Sequence, residues 1–247
     1  MEKINARRLR SVLPCLMMLL VLASGAAHAA APVAGVVISV EGNPEFQRAG
    51  EKKFSRLKFN EMLREGDTVK TGHGMRVAVA FVGGAELRIN EDSTFVLESG
   101  GGSRPTSVFT KFGTAWTRLL HGKSDMRLRT PTAVAAVRGT EADMSMGDGP
   151  MTVKVYEGFV DVMNDKGTTA LRAGQLTQVS GAGQAPEAAK DMAPQDYGTW
   201  QNGLKAADLN KSLKLLDAAA VKDRALDLEM KDKDGKTKKV RMRFEKK

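Results

Sequence analysis

The side chains able to do chemistry are few in this sequence, and their spacing argues against a catalytic centre. Outside the N-terminal segment the histidines are His73 and His121, and neither stands in a metal-ligand spacing such as His-x-x-x-His. Both lie beside glycines and read as solvated loop residues. The single cysteine, Cys15, lies in the N-terminal apolar segment, so no thiol is left for nucleophilic work. Ser55-Arg56-Leu57-Lys58 matches Ser-x-x-Lys and Lys70-Thr71-Gly72 matches Lys-Thr-Gly, a pairing found in penicillin-binding enzymes. Here they are twelve residues apart, the Ser-Asp-Asn element is missing, and the serine stands in a β-like stretch instead of opening a buried helix. Gly100-Gly101-Gly102 reads as a connector, because no helix and no Lys-Ser/Thr follow to make a phosphate cradle. Carboxylates are scattered. No catalytic, cofactor-binding or metal-ligating residue is expected, no cofactor is expected, and the sequence names no ligand- or partner-binding residue.

The elements around these residues read as strands. From Gly35 to Ser180, short runs rich in Val, Ile and Phe are punctuated by Gly, Asn, Asp and Pro: 35–40, 76–82, 86–89, 94–97 and 151–155. That pattern predicts an all-β domain. No stretch before residue 185 has helical periodicity. Val153 and Val155, followed by Glu157-Gly158 and then Val160 and Val162, predict a tight hairpin pairing 155 with 160 and 153 with 162. A similar phrase stands at Val40-Glu41-Gly42. Glu65-Gly66-Asp67-Thr68-Val69 is echoed by Ala173-Gly174-Gln175-Leu176-Thr177, which hints at related halves or solenoid-like coils. Trp116 is expected in a strand, in the core or at a domain contact.

Residues 1–29 read as an export signal. Lys3, Arg7, Arg8 and Arg10 precede an apolar run from Val12 to Ala23, and Ala27-His28-Ala29 offers a cleavage site before Ala30. The run is shorter than the roughly 20 residues a spanning helix needs. Periplasmic export and no membrane span after cleavage are expected. The chain has 38 basic and 29 acidic residues. Without the four basic residues and one acid of the signal the excess is about +6, spread out and weighted to the C-terminus. That suits anionic envelope polymers better than nucleic acid, which is not expected as a partner.

Six phrases in order resemble the FecR domain. An opening Gly-hydrophobic strand leads to Glu41-Gly42. Leu63-Arg64-Glu65-Gly66-Asp67-Thr68-Val69-Lys70-Thr71-Gly72 follows, then Glu86-Leu87-Arg88-Ile89-Asn90-Glu91-Asp92-Ser93-Thr94. Arg129-Thr130-Pro131-Thr132-Ala133-Val134-Ala135-Ala136-Val137-Arg138-Gly139-Thr140-Glu141 is the hallmark segment. Val155-Tyr156-Glu157-Gly158-Phe159-Val160 and Leu171-Arg172-Ala173-Gly174-Gln175 close the series. The resemblance implies a β-sandwich or solenoid-like domain of short strands over 30–181. The best-known members join a cytoplasmic anti-sigma segment to such a periplasmic domain. A cleavable signal at the start of this chain would put that role in doubt. The resemblance then implies a non-catalytic binding or scaffolding module of the cell envelope, engaging an envelope protein or a glycan. The alternative is a periplasmic signal-sensing regulator acting through a separate membrane partner. Within the hallmark, Gly139 reads as a turn, and Arg138 as capping carbonyls there, with an anion or partner contact as the alternative.

Beyond this domain, 182–195 is rich in Ala, Gly and Pro and reads as a linker to an appendage over 196–247. Trp200, Leu204 and Ala207 keep one helical spacing, and Leu209, Leu213 and Leu216 another, with Asp208 as a cap between them. The alternations at 226–230 and 240–244 predict a C-terminal β-hairpin pairing 230 with 240, 228 with 242 and 226 with 244 around an odd-length loop. Oligomeric state is not legible.

Overall fold

The computed structural model describes residues 31–101, 104–119, 125–208, 211, 212, 214–216, 218, 225–231 and 237–243. The chain divides into Met1–Ala30 and Ala31–Lys247, and every described residue belongs to the second unit. The expected export signal, His121 and Gly102 lie outside the described residues. Among the described residues, no helix is long and apolar enough to cross a membrane.

The unit is mainly β. Its strands in chain order are β1 Val33–Glu41, β2 Glu45–Gln47, β3 Ser55–Arg56, β4 Met62–Arg64, β5 Thr68–Lys70 and β6 Arg76–Phe81. Next come β7 Ala85–Ile89, β8 Thr94–Ser99, β9 Thr106–Leu119, β10 Asp125–Arg129, β11 Val134–Met146 and β12 Met151–Asn164. Then follow β13 Gly167–Arg172, β14 Gln175–Val179 and β15 Lys190–Asp191, and a separate pair, β16 Ala225–Lys231 and β17 Thr237–Arg243.

Three strands, β9, β11 and β12, are 13 or 14 residues long and change partners half-way. The first half of β9 pairs β8 and, in parallel, β10; its second half pairs β7 and β11. The first half of β11 pairs β10, and its second half pairs β9. β12 pairs β14 with residues 151–155 and β13 with residues 159–164. Following these pairings gives two sheets. The front sheet runs β3-β2-β5-β8-β9-β10-β11-β12-β13, and the back sheet β4-β1-β6-β7-β9-β11-β12-β14-β15. The long strands belong to both.

The bends fall at glycines with positive φ: Gly113 at +139°, Gly139 at +77° and Gly158 at +76°. An L side chain is strained there, so the residue type sets where each strand can turn from one sheet into the other. This corrects two expectations. Glu157-Gly158 is not a hairpin turn, because β12 runs straight through 153–162 and pairs along β11 on both sides of the bend. Gly139 likewise makes a bulge within β11 and not a turn. A tight turn and a bulge demand the same φ, so the local pattern fits either. The echo at Val40-Glu41-Gly42 has the same meaning: Gly42, at +73°, marks where the chain passes from β1 in the back sheet to β2 in the front sheet.

One continuous core fills the space between the sheets. The front sheet gives it Phe95, Leu97, Val108, Met126, Leu128, Val137 and Val160; the back sheet gives Val37, Val79, Leu87, Ile89, Met144 and Val153. All alternate with outward neighbours, as a strand buried on one face requires. β1 and β6 break that rule. Val36, Ile38, Ala78 and Ala80 on their outer side are also buried, in a second cluster with Leu204 and Leu216. The C-terminal segment covers this side of the back sheet. Burying one such leucine stabilises by about 1.5–3 kcal/mol.

The expected linker, 182–195, lies along the sheet edge. β15 pairs β14, the Glu187 N–H donates to the Gln178 carbonyl (2.9 Å), and the Thr177 hydroxyl donates to the Glu187 carbonyl (2.6 Å). Two 3₁₀ turns follow at Pro194–Asp196 and Trp200–Gly203, then helical residues at 211, 212, 214–216 and 218. The Asp208 carboxylate accepts from the Lys211 N–H at 2.9 Å. In the C-terminal pair, Leu228 faces Val240 and Leu226 faces Met242, a register shifted by two residues from the expected one. A shift of two keeps every residue on its side of the ribbon. It also sets Glu229 opposite Lys239, where the expected register set Lys231 there.

Candidate functional site

The residues of the recurring phrases act first as fasteners of loops. Asp67, 1% exposed, accepts from Arg48 Nη1 (2.7 Å), the Arg64 N–H (2.9 Å) and the Ala49 N–H (3.1 Å). Thr71 donates to the Asn90 carbonyl (2.6 Å) and accepts from the Ser93 N–H (3.0 Å). The Thr130 hydroxyl accepts from the Thr132 and Ala133 N–H groups and so holds the turn into β11. Buried hydroxyls and carboxylates used this way satisfy loop N–H groups that have no strand partner.

The histidine left to read is His73. Its side chain is 90% exposed, and Nδ1 lies 3.1 Å from Glu91 and 3.8 Å from Asp92. The three ligand atoms lie within 4.8 Å of one another, a grouping that sequence spacing did not show. The fastening of the 71–74 turn to the 90–93 turn brings them together. Largely exposed groups of this kind are common without a bound ion, and we assign none to it. Beside it, Glu91, Asp92, Phe112 and Met146 border an open cleft of about 380 Å³. Ser55, in the edge strand β3, and Lys58 beyond it are both exposed.

The outer faces of the two sheets differ sharply. The back sheet carries a polar and aromatic layer beneath residues 193–207. Glu86, 1% exposed, pairs with Arg88 and Arg118, each at 2.7 Å. Both guanidinium groups lie over the Trp116 ring, at 4.8 and 5.7 Å from its centre. So Trp116 sits under the C-terminal segment and not between the sheets. Asp143 is buried and accepts from Trp200 Nε1 at 3.0 Å. Burial pushes its carboxyl up to about 6, against the lowering effects of the Trp200 hydrogen bond and the Lys154 charge. Burial, with the charge of Asp143 added, pushes the neighbouring Tyr156 phenol up to about 12.

The front sheet's outer face is open. Strand register sets Asp125, Arg138, Phe159 and Arg172 in one row across β10, β11, β12 and β13. Phe159 is 62% exposed, and an arginine stands on each side of it. In the neighbouring rows lie Arg127 and Arg129, also exposed. Arg129 meets Glu98 at 2.6 Å and Arg138 meets Asp161 at 3.6 Å; Arg127 and Arg172 have no ion pair among the described residues. Arg138 therefore caps no turn. It points out of a strand, and its guanidinium lies beside a carboxylate.

Residues 67–161 match the family model described as FecR protein. The chain carries a FecR domain. The match spans β5 to the second half of β12, so it includes the bends at Gly113, Gly139 and Gly158 and most of the front-face row. Two crystal structures of a "putative anti-sigma factor" from Parabacteroides distasonis ATCC 8503 are similar to the chain at 19% identity and a TM-score of 0.48. The similar region covers 55% of this chain and 65% and 64% of those chains, under two thirds of their length. No curated protein matches the sequence.

Proposed function

We propose that this FecR domain protein is an exported, non-catalytic docking module of the bacterial envelope, and that its front face binds an acidic protein surface. The row Arg138–Phe159–Arg172 carries the reading. It presents an exposed aromatic between two cations about two strand spacings apart, roughly 10 Å. Arginine and large aromatics are the residues that dominate interface energies. A rigid sheet holds them, so little ordering cost is added on binding. The surplus of arginine over carboxylate on this face selects an anionic partner and makes the encounter dependent on salt. The segment that carries the family's hallmark supplies Arg129 and Arg138 to this face.

The test is a photo-crosslinking residue at position 159, with capture from the envelope fraction. The captured protein is then purified and titrated against the exported chain. The expected result is a protein with an acidic contact surface, whose affinity falls with salt and drops at least tenfold in R138E/R172E at an unchanged melting temperature. Equal binding by wild type and R138E/R172E overturns the reading. Retention on isolated glycan with no protein crosslink moves it to a glycan-binding module. A sensing regulator acting through a separate membrane partner is the second reading, favoured by the FecR match. It differs in that partner binding would change with a signal.

A further inference from the structure

Residues 193–207 cross the back sheet from the β14 edge to β1 as a strap, and the way they are held resembles peptide recognition more than core packing. The sheet reads the strap mainly through its backbone. Lys154 Nζ donates to the Asp196 carbonyl (2.7 Å), Arg76 Nη1 to the Trp200 carbonyl (2.7 Å), and Arg88 Nη1 to the carbonyls of Gln201 and Leu204. The Ser39 hydroxyl donates to the Lys205 carbonyl (2.9 Å), and the Gly198 N–H donates to the Tyr156 phenol oxygen (3.2 Å). At the far end, the Ala207 N–H donates to the Ile38 carbonyl (2.9 Å). Contacts of that kind are indifferent to strap sequence. Two side chains give the segment its identity: Trp200, whose indole N–H donates to Asp143, and Leu204, buried against Val36, Ile38, Ala78 and Ala80.

The fit is incomplete in its polar half. Trp116 Nε1 and Gln201 Oε1 are buried without a hydrogen-bond partner among the described residues, and the strap covers Asp143 as well. All three would regain water if the strap lifted. Lys154 is the cation that acts on that carboxylate, and the Tyr156 phenol is its titratable neighbour, itself facing Glu141.

We infer that the outer face of the back sheet is a peptide-binding surface and that the strap is its resident, exchangeable occupant. Its ligand class is a polypeptide segment with an aromatic residue and, four positions on across a 3₁₀ turn, an aliphatic one, the spacing of Trp200 and Leu204. This site is separate from the front face and does not depend on it. A tethered occupant competes at an effective concentration in the millimolar range, so an incoming segment binds weakly until the strap is weakened.

The probe is a fluorescent peptide with the sequence of residues 193–207, titrated into the full chain as wild type and as W200A. Saturable binding to W200A at least tenfold tighter than to wild type is expected. The same peptide with alanine at the position of Trp200 should lose at least tenfold. Equal binding by the two chains, or no saturable binding to a W200A chain that still melts cooperatively, overturns the inference. Amide exchange on the wild type decides the case where W200A does not fold. The Gly198 and Ala207 amides should exchange at least a hundredfold faster than those of β6 and β9. Exchange of strap and core amides at one common rate overturns exchangeability.

Discussion

Asp143 is the residue whose replacement gives the sharpest stability test. Its carboxyl titrates at about 6 in the fold against 3.8 for the unperturbed group, with burial as the main cause. At 1.36 kcal/mol per pKa unit, that gap disfavours the ionised form by about 3 kcal/mol in the folded chain. Because the folded pKa is raised, this destabilisation is absent below the unfolded value of 3.8 and complete only above about 6. Asparagine keeps the acceptor for the Trp200 indole and cannot ionise. D143N should therefore be more stable than wild type by about 3 kcal/mol at pH 7.5, by roughly half of that at pH 5, and by less than about 1 kcal/mol at pH 4. Urea denaturation of both chains at the three pH values measures the gap. A D143N chain that is less stable at pH 7.5, or a gap constant from pH 4 to 7.5, would refute the assignment of burial as the dominant effect. In that case the Trp200 hydrogen bond and Lys154 would have to outweigh it.

Three further outcomes follow from the geometry. E86Q should destabilise by about 3 kcal/mol, because it removes the one carboxylate between two arginines on a covered face, and its unfolding midpoint should drop at all pH values near neutrality. G113A should be worse than G139A by denaturation. Both residues have positive φ, worth about 1–2 kcal/mol of strain, but a Cβ at 113 would come within 2.6 Å of the Ser93 Cβ, while at 139 it meets nothing within 4 Å. T71V should lose about 2 kcal/mol by the same measurement, since it leaves the Asn90 carbonyl and Ser93 N–H without their hydroxyl partner, and it should leave front-face binding unchanged.

The strands were legible in the sequence because their alternation is local. Val153 and Val155, separated by polar Lys154, name their own buried face. The bends were half legible. Gly158 and Gly139 announced positive φ, but which structure uses it depends on the partner strand, and β12 finds β11 continuous on both sides of Gly158. The strap could not be read from its own residues. The spacing of Trp200, Leu204 and Ala207 suggested a helix where the chain makes a 3₁₀ turn at Trp200–Gly203, and most of the strap's hydrogen bonds are made by its backbone, which carries no sequence signal. The sign of it lay elsewhere. Val36-Val37-Ile38 and Val77 to Phe81 are apolar without alternation, the pattern of strands covered on both faces. In this fold something had to cover the outside of β1 and β6, and the C-terminal segment does so. The same reasoning missed the pairing of His73 with Glu91, which depends on a contact between two turns.

The phrases by which the FecR domain is known divide into two kinds of work. Asp67, Thr71 and Thr130 are buried and spend their hydrogen bonds on loop N–H and C=O groups, so they fix the corners whatever the surface carries. Arg138 and Phe159 sit one residue before and one residue after bend glycines, and they pair with each other across β11 and β12. The bends that let two strands serve both sheets therefore also lift this pair onto the rim of the front face. A segment under constraint from the fold at Gly139 and Gly158 thus determines where the exposed arginine and aromatic stand, while leaving their chemistry open. On the proposed docking role, partner choice would change there by substitution at 138, 159 and 172 without disturbing the corner.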